Sequence, residues 1–326
     1  MNKPILRVTL RWITLCALLS CPLALQALEI GQPISLSDQV ASNAAYMKLQ
    51  LRGALKLKGD ASLAELSDLA WDEDEQILYG ITDRGQLLHM QPGFNSGILT
   101  GMTLIAHYPL LEKSGKATKG SRQDAEGLTL ENSYNGIRGD SRLLVSFERN
   151  HRITGYTPDG HYKGKIDTPP GLKNPAFRPT KNKGMEALTL HPKLGIITSR
   201  EKPKIPGVSY LFSSKGRTWQ YPTKDEHSAL VSLESLPDGD LLILQRSYRN
   251  LLSPLIITLS RVSLKELENK QHILLETLAR FDTTEGWRVQ NFEGLTRHQG
   301  NRFFIASDDN NMPWASTQII YFELRQ

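Results

Sequence analysis

Cysteine is nearly absent. The chain has 326 residues and two cysteines, Cys16 and Cys21, both close to its start. If the first 27 residues are removed, no disulfide is available, and stability must come from a packed core, a bound ion, or both. Long apolar runs are missing as well. The one notable run, Trp12 to Leu19, is too short to span a bilayer, so no transmembrane segment is expected after the leader. There is no clustered basic arm, and nucleic-acid binding is not expected. Several catalytic signatures are lacking: G-x-S-x-G, which argues against a standard serine hydrolase, and the P-loop, G-x-G-x-x-G and H-E-x-x-H. The Arg-His-Gly signature of histidine acid phosphatases is missing too. The histidines are scattered, and His191 and His298 read as turn residues. Trp71 and Trp287 read as core.

The leader is distinct. Lys3, Arg7 and Arg11 are its only charges, an apolar run follows, and small residues lie at Ala24 and Ala27. That is the pattern of a secretory signal cut after Ala27. Residues 28–326 would then be a single periplasmic or secreted domain. A lipoprotein cut before Cys21, in "LLSC", is the alternative. Loss of the leader lowers the net charge from +5 to +2. With 39% hydrophobic and 22% charged residues, the remainder suits a globular protein with a sizeable core.

A loose unit recurs along the chain. Its copies begin at Leu66, Ala125, Met185, Ala229 and Phe292. Each reads as a short strand, a polar turn and a second, nearly continuous apolar strand: "QILYGIT", "RLLVSFE", "LGIITSR", "DLLILQR" and "RFFIASD". Such runs suit strands buried on both faces. The turns hold Asp72-Glu73-Asp74, His191-Pro192-Lys193, Pro237-Asp238-Gly239 and His298-Gln299-Gly300, all turn formers. "YMKLQLRGALKLKG", from Tyr46, and the terminal "TQIIYFELRQ" also read as strands, suited to share one sheet. "LKELENKQHILLETLARF" is either an amphipathic helix or two outer strands around "ENKQ", and the repeat favours strands. The expected fold is an all-β propeller joined through its first and last strands. About 299 residues at roughly 50 per blade suggest six blades. Leu111 to Asp124 and Asp167 to Gly184 read as long loops.

The chemistry lies in the acids. "EGLT" at Glu126 and Glu293 and "EALT" at Glu186 open the repeat, and Asp68 is read at the same place. Asp83, Glu148, Glu201 and Asp308 or Asp309 close the second strand. In a propeller, equivalent positions form a ring around the axis. Two carboxylates 4–5 Å apart repel by roughly 4 kcal/mol at an effective dielectric of 20. Such a ring needs protons, arginines or a metal. Oxygen ligands without cysteine or paired histidine point to Ca²⁺, and less to Mg²⁺, rather than Zn²⁺. Arg84, Arg149, Arg200 and Arg246 flank the closing positions and could neutralise acids or hold an anion. Acids at strand ends also serve simply as turn caps or surface ion pairs.

"DAEGLTL", "SFERN", "NKGMEALTL", "NFEGLTR" and "SDDNN" together resemble the motif set of the esterase-like phytase domain family, over roughly Ala61 to Leu324. The resemblance implies a β-propeller-like fold and phosphoester or ester hydrolysis. It carries over to Asp124, Glu126, Glu148, Glu186, Glu293, Asp308, Asp309 and Asn310. The expectation is therefore a monomeric, exported hydrolase of a small anionic or ester substrate. Glu126, Glu186 and Glu293 would be its catalytic residues, and Arg84, Arg200 and Arg246 would hold substrate. Asp83, Glu148, Glu201, Asp308 and Asp309 would hold Ca²⁺. A non-catalytic, metal-stabilised binding propeller and a lactonase or carboxylesterase on the same fold are the alternatives.

Overall fold

The computed structural model describes residues 27–59, 63–174, 184–200, 205, 207–223, 227–250, 253–312 and 314–325. The expected leader, with Cys21, and the expected ligand Glu201 lie outside these. Among the described residues, no helix is long and apolar enough to cross a membrane.

Among the described residues, the strands form five antiparallel sheets, arranged as the blades of a propeller. From the axis outward, blade 1 contains Leu66–Asp72, Ile77–Thr82, Gln86–Asn95 and Ile98–Pro109, with Leu28–Glu29 at its edge. Blade 2 contains Ala125–Glu131, Arg142–Phe147, Arg152–Tyr156 and Tyr162–Ile166. Blade 3 contains Met185–His191, Gly195–Arg200, Val208–Ser213 and Thr218–Pro222. Blade 4 contains Ser228–Ser235, Leu241–Ser247, Ile256–Val262 and Glu276–Asp282. Blade 5 draws on both ends of the chain: Asn291–Arg297, Arg302–Asp308 and Gln318–Leu324 pair in turn, and Gln318–Leu324 pairs with Leu49–Leu57. Gly31–Pro33 and Ala45–Tyr46 both pair with Leu49–Leu57.

The blade count corrects the expectation of six. The five recognisable sequence units are the five blades. Residues allotted to a sixth are absorbed by strands of 10 and 12 residues in blade 1 and by the excursion from Leu111 to Asp124. A second correction concerns the segment after Val262, where a short helix, Leu264–Asn269, precedes a single strand. The Ser263 hydroxyl caps this helix by accepting the Glu266 N–H. Asp240 accepts the Leu264 N–H at 2.7 Å. These local bonds favour a helix start over a strand.

Every residue of the innermost strand of blade 1 is buried, which explains why its pattern is not alternating. The apolar core is divided into five clusters, one between each pair of neighbouring blades. Trp287 belongs to the cluster between blades 4 and 5, and Trp71 to that between blades 5 and 1. Truncating a fully buried aromatic such as Phe304 should cost about 3–5 kcal/mol.

The recurring "E-G/A-L-T" has a separate structural reason at each letter. Each inner strand has a register shift near its start, leaving Ser67, Glu126, Glu186 with Ala187, Val231 and Glu293 outside regular pairing. A bulge turns its side chain away from the sheet, and here it presents the glutamates at one end of the axis. The small residue follows because the strands crowd there. A Cβ on Gly127 would lie 2.8 Å from Leu188 Cβ and 2.9 Å from Glu186 O. The leucines are buried. The threonines link blades: Thr129 Oγ1 accepts the Leu190 N–H, Thr189 Oγ1 that of Ser235, and Thr296 Oγ1 that of Trp71, at 3.3, 3.1 and 3.1 Å.

Candidate acidic site at one mouth of the propeller

The site lies where the inner strands begin and the second strands end. Asp124 and Glu126 enter blade 2, and Glu148 leaves its second strand. The Glu148 N–H donates to the Asp124 carbonyl at 3.0 Å, which fixes these two segments side by side. One carboxylate oxygen from each of Asp124, Glu126 and Glu148 can be chosen so that all lie within 4.8 Å of one another.

Electrostatics places the other acids around this group. Burial raises the Glu126 carboxyl well above the usual range, and Glu186, Glu293, Asp83 and Asp124 raise it further. Asp83 is pushed up to about 7, first by burial, then by Glu65, with Glu293 and Asp124 contributing. Its Oδ1 is buried and accepts no hydrogen bond among the described residues. Asp308 is pushed up to about 8 by burial, with Glu293, Asp83 and Asp309 adding repulsion, although its Oδ1 accepts the Asn310 N–H at 2.7 Å. Asp124 is raised by burial despite an opposing ion pair, Arg149 Nε to its Oδ2 at 3.0 Å. That contact is a charge pairing and not an aligned hydrogen bond.

The arginines divide. Arg246 occupies, in blade 4, the position held elsewhere by Asp83, Glu148 and Asp308, and it pairs with Glu293 and Asn291. The Asn291 amide donates to Glu293 Oε1 at 3.0 Å. Arg84 pairs with Glu65. Arg200 stands one register step away, opposite Met185, and opposed residues in an antiparallel pair share a face. Met185 belongs to the cluster between blades 2 and 3, so Arg200 is aligned with that interface. Arg200 is buried, its Nε and Nη1 have no hydrogen-bond partner among the described residues, and burial lowers its pKa.

Two acids differ from their reading in the repeat. Asp68 lies one residue beyond the bulge, level with Gly127, Ala187, Ser232 and Gly294, while Ser67 holds the bulged place. A hairpin one residue longer in blade 1 hid this offset. Asp309 is occupied by the loop: its Oδ1 accepts the Glu65 and Asn311 N–H groups at 3.0 and 2.9 Å, and its Oδ2 the Thr317 hydroxyl at 3.4 Å. Asn310 and Asn311 have positive φ values of 48° and 50°, as a tight exit turn requires. His191 stabilises its turn, its Nδ1 accepting the Lys193 and Leu194 N–H groups at 3.1 Å.

Glu65 and Asn291 were missed from sequence. Both precede the bulge by two residues, as Asp124 does, so the "D-A-E" and "N-F-E" spacing was the available signal.

The family model for phytase-like proteins, described as esterase-like activity of phytase, matches residues 61–311. The chain belongs to this phytase-like family. The match includes every described acid of the mouth. Comparison with curated proteins returns no match. Among solved structures, the chain is similar to XC5397, a gluconolactonase from Xanthomonas campestris, with 12% identity, a TM-score of 0.41, and coverage of 91% of this chain and 97% of that one. It is also similar to U3-55K, with 12% identity, a TM-score of 0.42, and coverage of 82% and 98%.

Proposed function

We propose that this phytase-like propeller is an exported, divalent-cation-dependent phosphoester hydrolase working at the acidic mouth. The observation that carries the reading is the convergence of Asp124, Glu126 and Glu148 oxygens within 4.8 Å. Hard carboxylate oxygens suit Ca²⁺ or Mg²⁺. The buried Oδ1 of Asp83, without a hydrogen-bond partner among the described residues, also fits a cation, because a buried polar atom without a partner is costly. Asp124, Glu126 and Glu148 would hold the ion, with Asp83 beside them. When bound, such an ion polarises a phosphoryl oxygen and makes water more acidic.

The chain's own residues supply the rest. Glu293 is kept oriented by Arg246 and the Asn291 amide, which suits it to accept a proton from an attacking water. Glu186, whose charge raises the Glu126 carboxyl after burial has done so, is the second base candidate. Arg246 and Arg84, like Arg149 beside Asp124, bring guanidinium groups to this acid-rich mouth, and a guanidinium matches phosphate oxygens bidentately. Arg200, buried and aligned with the interface between blades 2 and 3, is not part of this phosphate-holding set. A small anionic substrate and a monomer are part of this reading.

The test is an assay of purified protein on aryl phosphates, phytate, aryl acetates and lactones, with Ca²⁺, with Mg²⁺ and with chelator. Cation-dependent phosphate release, lost in Glu126→Gln, is expected. Turnover of acetates or lactones alone would replace the phosphoester reading with a carboxylester one. No turnover, with a melting temperature that still falls on chelation, would leave the ion a purely structural role.

A further inference from the structure

The opposite mouth of the propeller has a cavity of about 390 Å³, walled by inner-strand residues of all five blades. Asp68 lies between the two mouths, its carboxylate hydrogen-bonded to Leu69, Leu128, Ser232 and Leu295. The acids of the hydrolytic site take no part in this cavity.

Its wall is polar in a particular way. Thr129 and Thr189 each accept an N–H from the next blade, and a hydroxyl that accepts in this way can still donate its proton to a guest. Blade 4 breaks this pattern with Glu234, which occupies the place of the threonine, its carboxyl against the Arg297 N–H. Glu234 lines the cavity and is half-buried. Its carboxyl is pushed up to about 8 by burial and by Asp68, and in its protonated form it both donates and accepts. The other charges are engaged. Glu73 accepts from the Trp71 indole at 2.7 Å and the Gln299 amide at 3.3 Å. Arg297 Nε donates to Gly300 O at 2.9 Å.

The rim is the "NSYNGIRGD" excursion of blade 2, which the acidic site does not use. Its backbone is pinned to the first hairpin of blade 1. The N–H groups of Asn135 and Gly136 donate to Asp74 at 2.8 and 3.0 Å, that of Gly139 donates to Glu75 at 2.6 Å, and Ser133 O accepts the N–H groups of Glu73 and Asp74. This pinned loop sets Tyr134 at the cavity with 82% of its surface exposed. An exposed aromatic beside a polar, charge-balanced cavity matches one ligand class well. A sugar ring offers an apolar face to the aromatic and hydroxyls to the wall. The volume falls within the small-molecule range of about 300–1,000 Å³.

We propose that this mouth binds a small, neutral, polyhydroxylated ring of the monosaccharide class, stacked on Tyr134 and hydrogen-bonded by Glu234, Thr129 and Thr189. The test titrates the full chain with methyl glycosides of glucose, galactose and mannose, read by calorimetry and saturation-transfer NMR. Saturable binding of at least one is expected. Tyr134→Ala should weaken it about tenfold, equivalent to about 1.4 kcal/mol. Glu234→Thr should weaken it similarly while supplying the hydroxyl that blades 2, 3 and 5 carry at this position, so its melting temperature should remain close to wild type. Chelator and Glu126→Gln should leave sugar binding unchanged, which separates this result from the fate of the hydrolytic reading. The proposal is overturned if no glycoside binds saturably, if neither wall variant weakens binding, or if Glu126→Gln alone abolishes it.

Discussion

The Ser232 hydroxyl of blade 4 donates to Oδ1 of Asp68 in blade 1, at 3.1 Å. The same carboxylate accepts the N–H groups of Leu69, Leu295 and Leu128 at 2.9, 3.2 and 2.8 Å. One side chain thus connects four blades. Burial holds its pKa well above the ordinary carboxylate value even with these donors opposing the shift. Asp68→Ala would orphan several buried donors, each worth roughly 1–3 kcal/mol, and should destabilise the fold by about 4 kcal/mol in urea unfolding. A midpoint shifted by less than the measurement error would show that the axis does not depend on this carboxylate.

The small residue after each motif glutamate gives a graded prediction. A Cβ on Gly127 meets Ser146 Oγ at 2.6 Å and Leu188 Cβ at 2.8 Å. On Gly294 the nearest atom is Asp68 Cα at 3.1 Å. Overpacking costs about 1–3 kcal/mol. Gly127→Ala should therefore lie at the upper end and Gly294→Ala at the lower. Equilibrium denaturation of the two variants checks the order, and a reversed order would refute the packing argument.

The acidic mouth should make stability depend on pH and cation together. Asp83 and Asp308 have folded-state values of about 7 and about 8, against an ordinary 3.8. Because these are raised, the unfolded chain loses its protons first as pH rises. Their contribution is fully present below the ordinary value and is lost as pH climbs through the folded ones. Cation-free protein should thus melt at progressively lower temperature between pH 4 and pH 8, the range of these values. Added Ca²⁺ should raise the melting temperature strongly at pH 8 and little at pH 5, where protons still occupy the carboxyls. Thermal melts with calcium and with chelator test this, and an equal calcium shift at both pH values would count against a shared cation site.

The glutamates were legible in sequence because a propeller repeats them at one register. "EGLT", "EALT" and "EGLT" mark Glu126, Glu186 and Glu293, and all three reach the same mouth. Asp68 misled because its 15-residue separation from Asp83 equals that of Glu186 from Glu201, while spacing alone cannot show a hairpin longer by one residue. Blade number was hidden for a related reason. The long outer strands of blade 1 share one sheet, whereas an average length per blade treats them as material for another. Arg246 could be found from its strand-end position. Its partnership with Glu293 could not, since Ala229–Arg246 and Asn291–Asp308 register only after the sheets are built. Glu234 was invisible because its meaning comes from replacing a threonine, and the threonines' inter-blade bonds are tertiary.

Arg246 allows its two possible contributions to be separated. Its pair with Glu293 is mostly buried, with side-chain exposures of 16% and 11%. Removing one partner of a buried pair typically costs about 3 kcal/mol or more, so Arg246→Met should be clearly destabilised. Arg246→Met with Glu293→Gln should recover part of that loss, because the unpaired anion is then gone as well. Cation binding should move the other way. Deleting a positive charge at this mouth makes the site more attractive to Ca²⁺, so the single variant should bind the ion more tightly by calorimetry. Phosphoester turnover should nevertheless fall at least about tenfold, or about 1.4 kcal/mol, since the guanidinium that holds phosphate is lost. Tighter calcium with weaker turnover would assign Arg246 to the substrate, whereas weaker calcium and weaker turnover together would show that it acts only by keeping the mouth folded.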